Sequence, residues 1–511
     1  MSIKGDNRRI AKNTICLYVR TIVVLAVSLY TSRVVLKVLG VEDLGIYNVV
    51  GGVVVMMSFF QAAQTKATSR FITYELGKSS DKATLSRVFS VCMTIHVFVA
   101  LIGLVLGETV GLWIISNWTE IPPERQVAAF CTYQFALIVF CIHILRIPYD
   151  SVVVAHERMS MFAYMSIVEA ALQLGLIFIL TVMEGDKLIY YSFSVAFVAF
   201  ALYVCYYIYV KRQFSVYRFQ WTWDKGYSSR IMAFSGWTLL GSGANTATQQ
   251  GVNLLMNKCV GLVANAAMGF AGQVNVAVGK FINGFSTAFT PQIIKLYAKK
   301  DYASLHILVN RSSKFSFVLC LLMALPLIAN MDFILSVWLG NDVPIYTKEF
   351  CQLILVCTVI DATTGVYNTV MTATGNIKKY QIAISASFLL DLVCCLVMLL
   401  SHVNPVFVFG SRIVTRGFIN MFIGQYFIKR YADFNVEDYY RTVLTRIVVT
   451  LVVTVPPIAW VSIYTENLSR LIMTGMMTVV LIPLSTLLII MTKQEREVVL
   501  SNIRRKLVSQ Q

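Results

Sequence analysis

Apolar runs of about 20 residues, the length of helix that crosses a bilayer's hydrocarbon core, recur along the whole chain and are separated by short polar connections. On that scale the pattern predicts fourteen helices, at 13–37, 44–66, 86–115, 126–150, 159–183, 188–210, 231–257, 262–296, 307–338, 347–373, 380–401, 405–429, 442–464 and 468–491. The expectation is an all-α polytopic membrane protein, with no connection long enough to fold as a domain outside the bilayer. The first run follows Lys4, Arg8, Arg9 and Lys12, as a secretory signal would, but Arg20 interrupts it and no small-residue cleavage site follows. It is read as an uncleaved first span.

Composition excludes a water-soluble fold. Hydrophobic residues make up 57% of the chain and charged residues only 14%, against about a quarter charged in soluble domains; the mean hydropathy is +0.69. The net charge of +17 then needs no nucleic acid, because its distribution along the spans explains it. With both termini cytoplasmic, and cations near a span's end assigned to the connection it enters, 32 of the 43 lysines and arginines belong to cytoplasmic segments, six to external ones and five to span interiors. Cytoplasmic loops of membrane proteins carry this excess, and a basic surface favours the anionic leaflet. The eleven cysteines lie in apolar stretches without CxxC spacing and read as small buried hydrophobes.

Two internal correspondences divide the chain further. Tyr149 to Met159 lies over Tyr367 to Ile377 with an offset of 218, and Thr68 to Leu76 over Thr290 to Ala298 with an offset of 222. Chance likeness between apolar helices competes for either alone, but two near-equal offsets predict that helices 1–6 repeat as 7–12. Six is even, so the halves keep one orientation and are related by an axis along the membrane normal. The expected organisation is an N-lobe at 1–210, a basic linker at 211–230, a C-lobe at 231–429, and a last helix pair with a basic tail at 430–511.

The segment Thr31-Ser-Arg-Val-Val-Leu-Lys-Val-Leu-Gly-Val-Glu-Asp-Leu-Gly-Ile-Tyr-Asn48, set in this six-plus-six-plus-two pattern, resembles the polysaccharide-exporter branch (Wzx-type oligosaccharide flippases) of the multidrug/oligosaccharidyl-lipid/polysaccharide exporter superfamily. The resemblance implies two pseudo-symmetric six-helix lobes in a V shape plus a C-terminal helix pair. It also implies a transporter that carries undecaprenyl-diphosphate-linked sugar repeat units to the periplasmic leaflet of a bacterial inner membrane. Expected partners are that lipid-linked oligosaccharide, anionic bilayer lipids and other polysaccharide assembly proteins, with no cofactor and no nucleic acid.

Such a substrate would need cations in the membrane. Arg20, Lys280, Arg412 and Arg416 lie within apolar spans, and guanidinium offers paired donors suited to phosphate oxygens. Arg412 and Arg416 are one turn apart. Counted from the cytoplasmic helix ends, Arg416 matches Asp391 in depth, so the expectation is a structural Arg416–Asp391 pair that leaves Arg412 for transport. Polar stripes accompany the cations: Ser242, Asn245, Gln249 and Asn253 on helix 7, Gln273 with Lys280 on helix 8, and Asn48, Ser58 and Thr65 on helix 2. Each stripe lines a cavity or hydrogen-bonds to a neighbouring helix, since facing lipid would be costly. Intramembrane His143, Glu169, Asp361 and Asp391 are candidates for ion coupling or for pairing, and the 218 offset carries His143 onto Asp361.

No phosphate-binding Gly-x-x-x-x-Gly-Lys-Ser/Thr loop and no metal-ligand spacing occurs, so neither an enzyme nor a metal site is expected. Competing readings are a lipid II flippase or a cation-coupled drug exporter of the same superfamily, and, in another class, a membrane-embedded polymerase or ligase. The last would need large external loops, which are missing.

Overall fold

The computed structural model describes residues 3–55, 57–78, 81–118, 121–339, 343–492 and 495–497, and every regular element among them is helical. The chain gathers into two compact units. The first holds Met1–Gly243, Thr287–Lys300 and Thr372–Gln381; the second holds Ala244–Ser286, Asp301–Met371 and Ile382–Gln511.

The helices of the first half are α1 (Ile3–Val55), α2 (Ser58–Lys78), α3 (Lys82–Leu106), α4 (Leu112–Trp118), α5 (Gln126–Ala155), α6 (Met159–Val182) and α7 (Lys187–Gln213). Gly40 breaks α1 with φ of 78° and ψ of 177°, a conformation open to glycine because it has no Cβ. The second half holds α8 (Lys225–Cys259), α9 (Leu262–Ala298), α10 (Tyr302–Ala329), α11 (Met331–Leu339), α12 (Thr347–Thr374), α13 (Lys378–Leu400), α14 (Pro405–Arg412), α15 (Ile419–Ala432), α16 (Val436–Tyr439), α17 (Thr445–Tyr464) and α18 (Asn467–Ser485). Wide π turns at Gly107–Gly111, Ile413–Phe418 and Tyr440–Leu444 join helices into longer rods.

Among the described residues, ten helical segments are long and apolar enough to cross a membrane: Lys82–Asn117, Pro123–Ala155, Met159–Val182, Lys187–Gln213, Tyr302–Ala329, Thr347–Thr374, Lys378–Leu400, Pro405–Ala432, Val436–Tyr464 and Asn467–Ile490. The four other expected spans fall on α1, α2, α8 and α9, which carry more small and polar residues. Helical spans satisfy their own backbone polar groups in lipid. Turn residues supply what the ends lack: Asp81 accepts from the amides of Ala83 and Thr84, Asp186 from Leu188 and Ile189, and Asn404 from Val406.

Several helices run past their predicted ends. α2 continues past its predicted end at 66 to Lys78, so Arg70 stands on helix, not in a loop, and α5 continues past its predicted end at 150 to Ala155. Within the first unit, segments predicted to lie on the same side of the membrane meet. Arg125 bridges Asp43 at 2.6 Å and Asp186 at 2.7 Å, which ties the three predicted external turns together. At the other end Lys295 binds Glu157 at 2.8 Å, His156 meets the Tyr217 hydroxyl at 2.9 Å, and Ser90 donates to the carbonyl of Arg218 in the linker. Packing, not a hydrophobic force, holds helices together in lipid. The cores are accordingly dense and aromatic, with Phe89 edge-on to Tyr149 and Tyr217 in the first unit and Phe350 stacked on Phe409 at 4.7 Å in the second.

Candidate functional site

In the second unit, α13 and the rod formed by α14 and α15 are joined by the short turn at 401–404. Asp391, in the middle of α13, is fully buried. Its Oδ2 accepts from Arg412 Nε at 3.2 Å and its Oδ1 from the Thr415 hydroxyl at 2.6 Å. Arg412 is also buried, at 3% exposure; its Nη2 donates to Gln249 Oε1 on α8 at 3.2 Å, and its guanidinium lies over the Phe409 ring. Arg416 points to other partners. Its Nη2 donates to Asn245 Oδ1 on α8 at 2.8 Å, and it stacks over Phe388 at 5.2 Å. Ser387 donates to Asn420 one turn further along.

This corrects the predicted pairing, because Asp391 takes Arg412, not Arg416. Depth does not discriminate: measured from the connecting turn, Asp391 falls between the two arginines. Azimuth decides. Asp391 meets Arg412 and Thr415, while Arg416 turns to Asn245 and Phe388. The segment Ile413–Phe418 between and beyond the two arginines is a π turn, so their directions do not follow the α-helical step used to align them from sequence.

The predicted stripe on α8 has mixed fates. Asn245 and Gln249 each accept a hydrogen bond from a guanidinium, Asn253 donates to Gln250 at 3.5 Å, and Ser242 is half-buried in the first unit. Gln273 and Lys280 are exposed on α9. Asp361, on α12, is exposed and within electrostatic reach of both Arg412 and Arg416. On α2, Thr65 is exposed and its hydroxyl donates back to the Gln61 carbonyl at 2.8 Å. The side chains of Asn48 and Ser58 lie outside the described residues.

The first unit carries a second intramembrane charge group. Arg20 of α1 stacks over Phe162 of α6 at 4.9 Å, and its Nε is buried with no hydrogen-bond partner among the described residues. Glu169 of α6 and Tyr206 of α7 stand within electrostatic reach of it. Arg146 and Asp150, four residues apart on α5, pair at 3.2 Å, and Arg146 lies over the Tyr206 ring at 5.6 Å. Its Nη1 and Asp150 Oδ1 are also buried without partners among the described residues. His143 is half-buried one turn before Arg146. Sequence reading placed this helix at 126–150, which contains both residues, and still missed the Arg146–Asp150 pair. The available signal was the i, i+4 spacing of opposite charges, which shares one helix face. The first unit also holds an apolar cavity of about 410 Å³, walled by Phe98, Ile102, Phe140, Trp223, Met232 and Leu239 and by none of these charged residues.

Residues 242–397, from within α8 to within α13, match the MatE family. No curated protein matches the chain. Among solved structures, a crystallised MATE point mutant aligns at a TM-score of 0.73 with 12% identity, over 85% of this chain and 100% of its own. A MOP superfamily transporter from Pyrococcus furiosus, whose reversed binding-pocket polarity suggests a different function, aligns at 0.67 with 13% identity, over 83% and 96%. An outward-facing multidrug resistance MATE family transporter of the MOP superfamily aligns at 0.64 with 14% identity, over 85% and 100%. The chain is therefore a multi-pass, all-helical membrane protein with the fold of the MATE/MOP superfamily transporters.

Proposed function

We propose that the protein is a flippase that moves undecaprenyl-diphosphate-linked oligosaccharide repeat units from the cytoplasmic to the periplasmic leaflet, by alternating access, for assembly of a surface polysaccharide such as O-antigen or capsule. One observation carries the reading. The buried carboxylate Asp391 has both oxygens occupied, whereas Arg416 and Arg20, inside helical spans, have no carboxylate within ion-pair distance among the described residues. Spare guanidinium donors and a neutralised acid suit a diphosphate better than a cationic drug. In the second unit Arg416 and the exposed Lys280 are proposed diphosphate ligands, with Arg412 held by Asp391; Arg20, in the first unit, is proposed as a ligand in its own right. The proposed setting is a bacterial inner membrane with both termini cytoplasmic, which the basic bias of the connections supports.

A second reading, cation-coupled drug export, draws on Asp361. It is a carboxylate on α12 that is exposed and makes no ion pair among the described residues, and the fold serves both activities. In the flippase reading the same group is the candidate for ion coupling. Depletion in the source cell separates the two. The flippase reading expects loss of surface polysaccharide and accumulation of its diphosphate-linked lipid on the cytoplasmic side. Unchanged polysaccharide with new sensitivity to cationic dyes would favour the exporter.

A further inference from the structure

A second polar cavity, of about 400 Å³, opens in the first unit where α2, the start of α8 and the turn between α12 and α13 come together. Its walls carry three cations, Arg70, Arg230 and Lys378, against one carboxylate, Glu75. Glu75 stands within electrostatic reach of the Tyr227 hydroxyl. Lys378 and Arg230 have exposed side chains that lie over aromatic rings, Lys378 over Trp237 at 5.1 Å and Arg230 over Tyr227 at 5.0 Å.

Arg70 is different. It is 8% exposed, wedged over the rings of Phe71 and Tyr74 at 4.4 and 4.6 Å, and makes no ion pair among the described residues. Its Nη2 donates to the Ala373 carbonyl at 3.4 Å, and its Nε is buried with no partner among the described residues. Burying a guanidinium and leaving a donor unused costs free energy unless something occupies it. The turn is shaped around this group: Gly375 has φ of +74°, and a Cβ there would run into the Arg70 guanidinium.

We infer that this cavity is an anion site that takes a phosphate or diphosphate group on Arg70, with Lys378 and Arg230 closing over it. The excess of two positive charges matches a dianion, and the volume holds such a group with its first waters, at about 30 Å³ per water. Occupancy would tie α2, α8 and the α12–α13 turn through one ligand. This site is distinct from the arginines proposed to carry the transported diphosphate.

The test is calorimetric titration of inorganic pyrophosphate into the purified full-length protein in phosphatidylcholine nanodiscs. Saturable binding is expected, weakened about tenfold by Lys378→Gln and again by adding Arg230→Gln, since each loses about 1.4 kcal/mol of charge-assisted contact. Both are surface side chains, so the variants remain folded even if Arg70→Gln does not. Absence of saturable binding, or equal affinity for the double variant, overturns the inference. Repeating the titration with phosphatidic acid in the disc distinguishes the source. A tenfold or greater loss of pyrophosphate affinity identifies a lipid headgroup as the occupant, and unchanged affinity identifies a free phosphate. Flipping assayed on the same variants keeps this result separate from the transport proposal.

Discussion

At the residue scale, the two arginines of the α14–α15 rod illustrate how neighbours one turn apart divide their work. Removing the Asp391 charge strands Arg412 in a buried site, and losing one partner of a buried pair costs about 3–5 kcal/mol. Asp391→Asn should therefore lower the amount of folded protein in the membrane, and adding Arg412→Gln should restore part of it; fluorescence-detected size exclusion measures both. Equal abundance for wild type and Asp391→Asn would remove the pair from the structural account. Arg416→Gln should behave in the opposite way. Its partner is the neutral Asn245, so abundance should hold while translocation falls about tenfold, roughly 1.4 kcal/mol. Sequence reading found all three charges and expected one of the two arginines to pair with Asp391, but named Arg416 where the partner is Arg412, because depth follows from counting residues whereas direction depends on a π turn that no local residue pattern announces.

At the element scale, the hydropathy pattern located the helices, since a span in lipid must be both helical and apolar. It missed where they stop. A helix that leaves the bilayer can continue on polar residues, so α2 carries Arg70, which hydropathy assigned to a loop. Arg70 was hidden for this reason. The C-terminal segment is a further case. Glu495 bridges Arg311 Nε at 2.8 Å and Lys314 Nζ at 3.1 Å on α10, and accepts from the Thr492 amide at 2.8 Å. Burial raises the Glu495 carboxyl, but the Thr492 amide and the Lys314 ammonium outweigh it and hold it below its ordinary value of 4.5. The sign follows from a folded value below the unfolded one. The contribution of the contact to docking of this segment is complete above pH 4.5 and is lost as pH falls through the lower folded value. Protease cleavage after Arg496 should be slow at pH 7 in wild type and accelerated at the same pH by Glu495→Gln. Equal cleavage of the two proteins at pH 7 would show that the segment docks without the carboxylate.

At the scale of the whole molecule, the membrane class was the most legible feature, because composition and the regular recurrence of apolar runs leave no soluble alternative. The substrate was the least legible, since solved structures with this fold include both a multidrug resistance transporter and a transporter whose reversed pocket polarity suggests a different function. Orientation is open to direct test. Single cysteines at 185 and 218, in an otherwise cysteine-free protein, should react with an impermeant maleimide in intact spheroplasts at 185 only; labelling at 218 would invert the proposed topology. The central claim, that the spare guanidiniums receive a diphosphate, is tested most directly by reconstitution. Purified protein in liposomes containing a fluorescent undecaprenyl-diphosphate-linked oligosaccharide is exposed to a membrane-impermeant quencher, and the protected inner-leaflet fraction is followed with time. The account predicts protein-dependent loss of that protection, slowed about tenfold by Arg416→Gln and by Arg20→Gln, with no protein-dependent movement of a cationic dye. Dye transport that requires Asp361, with the labelled lipid remaining protected, would contradict it.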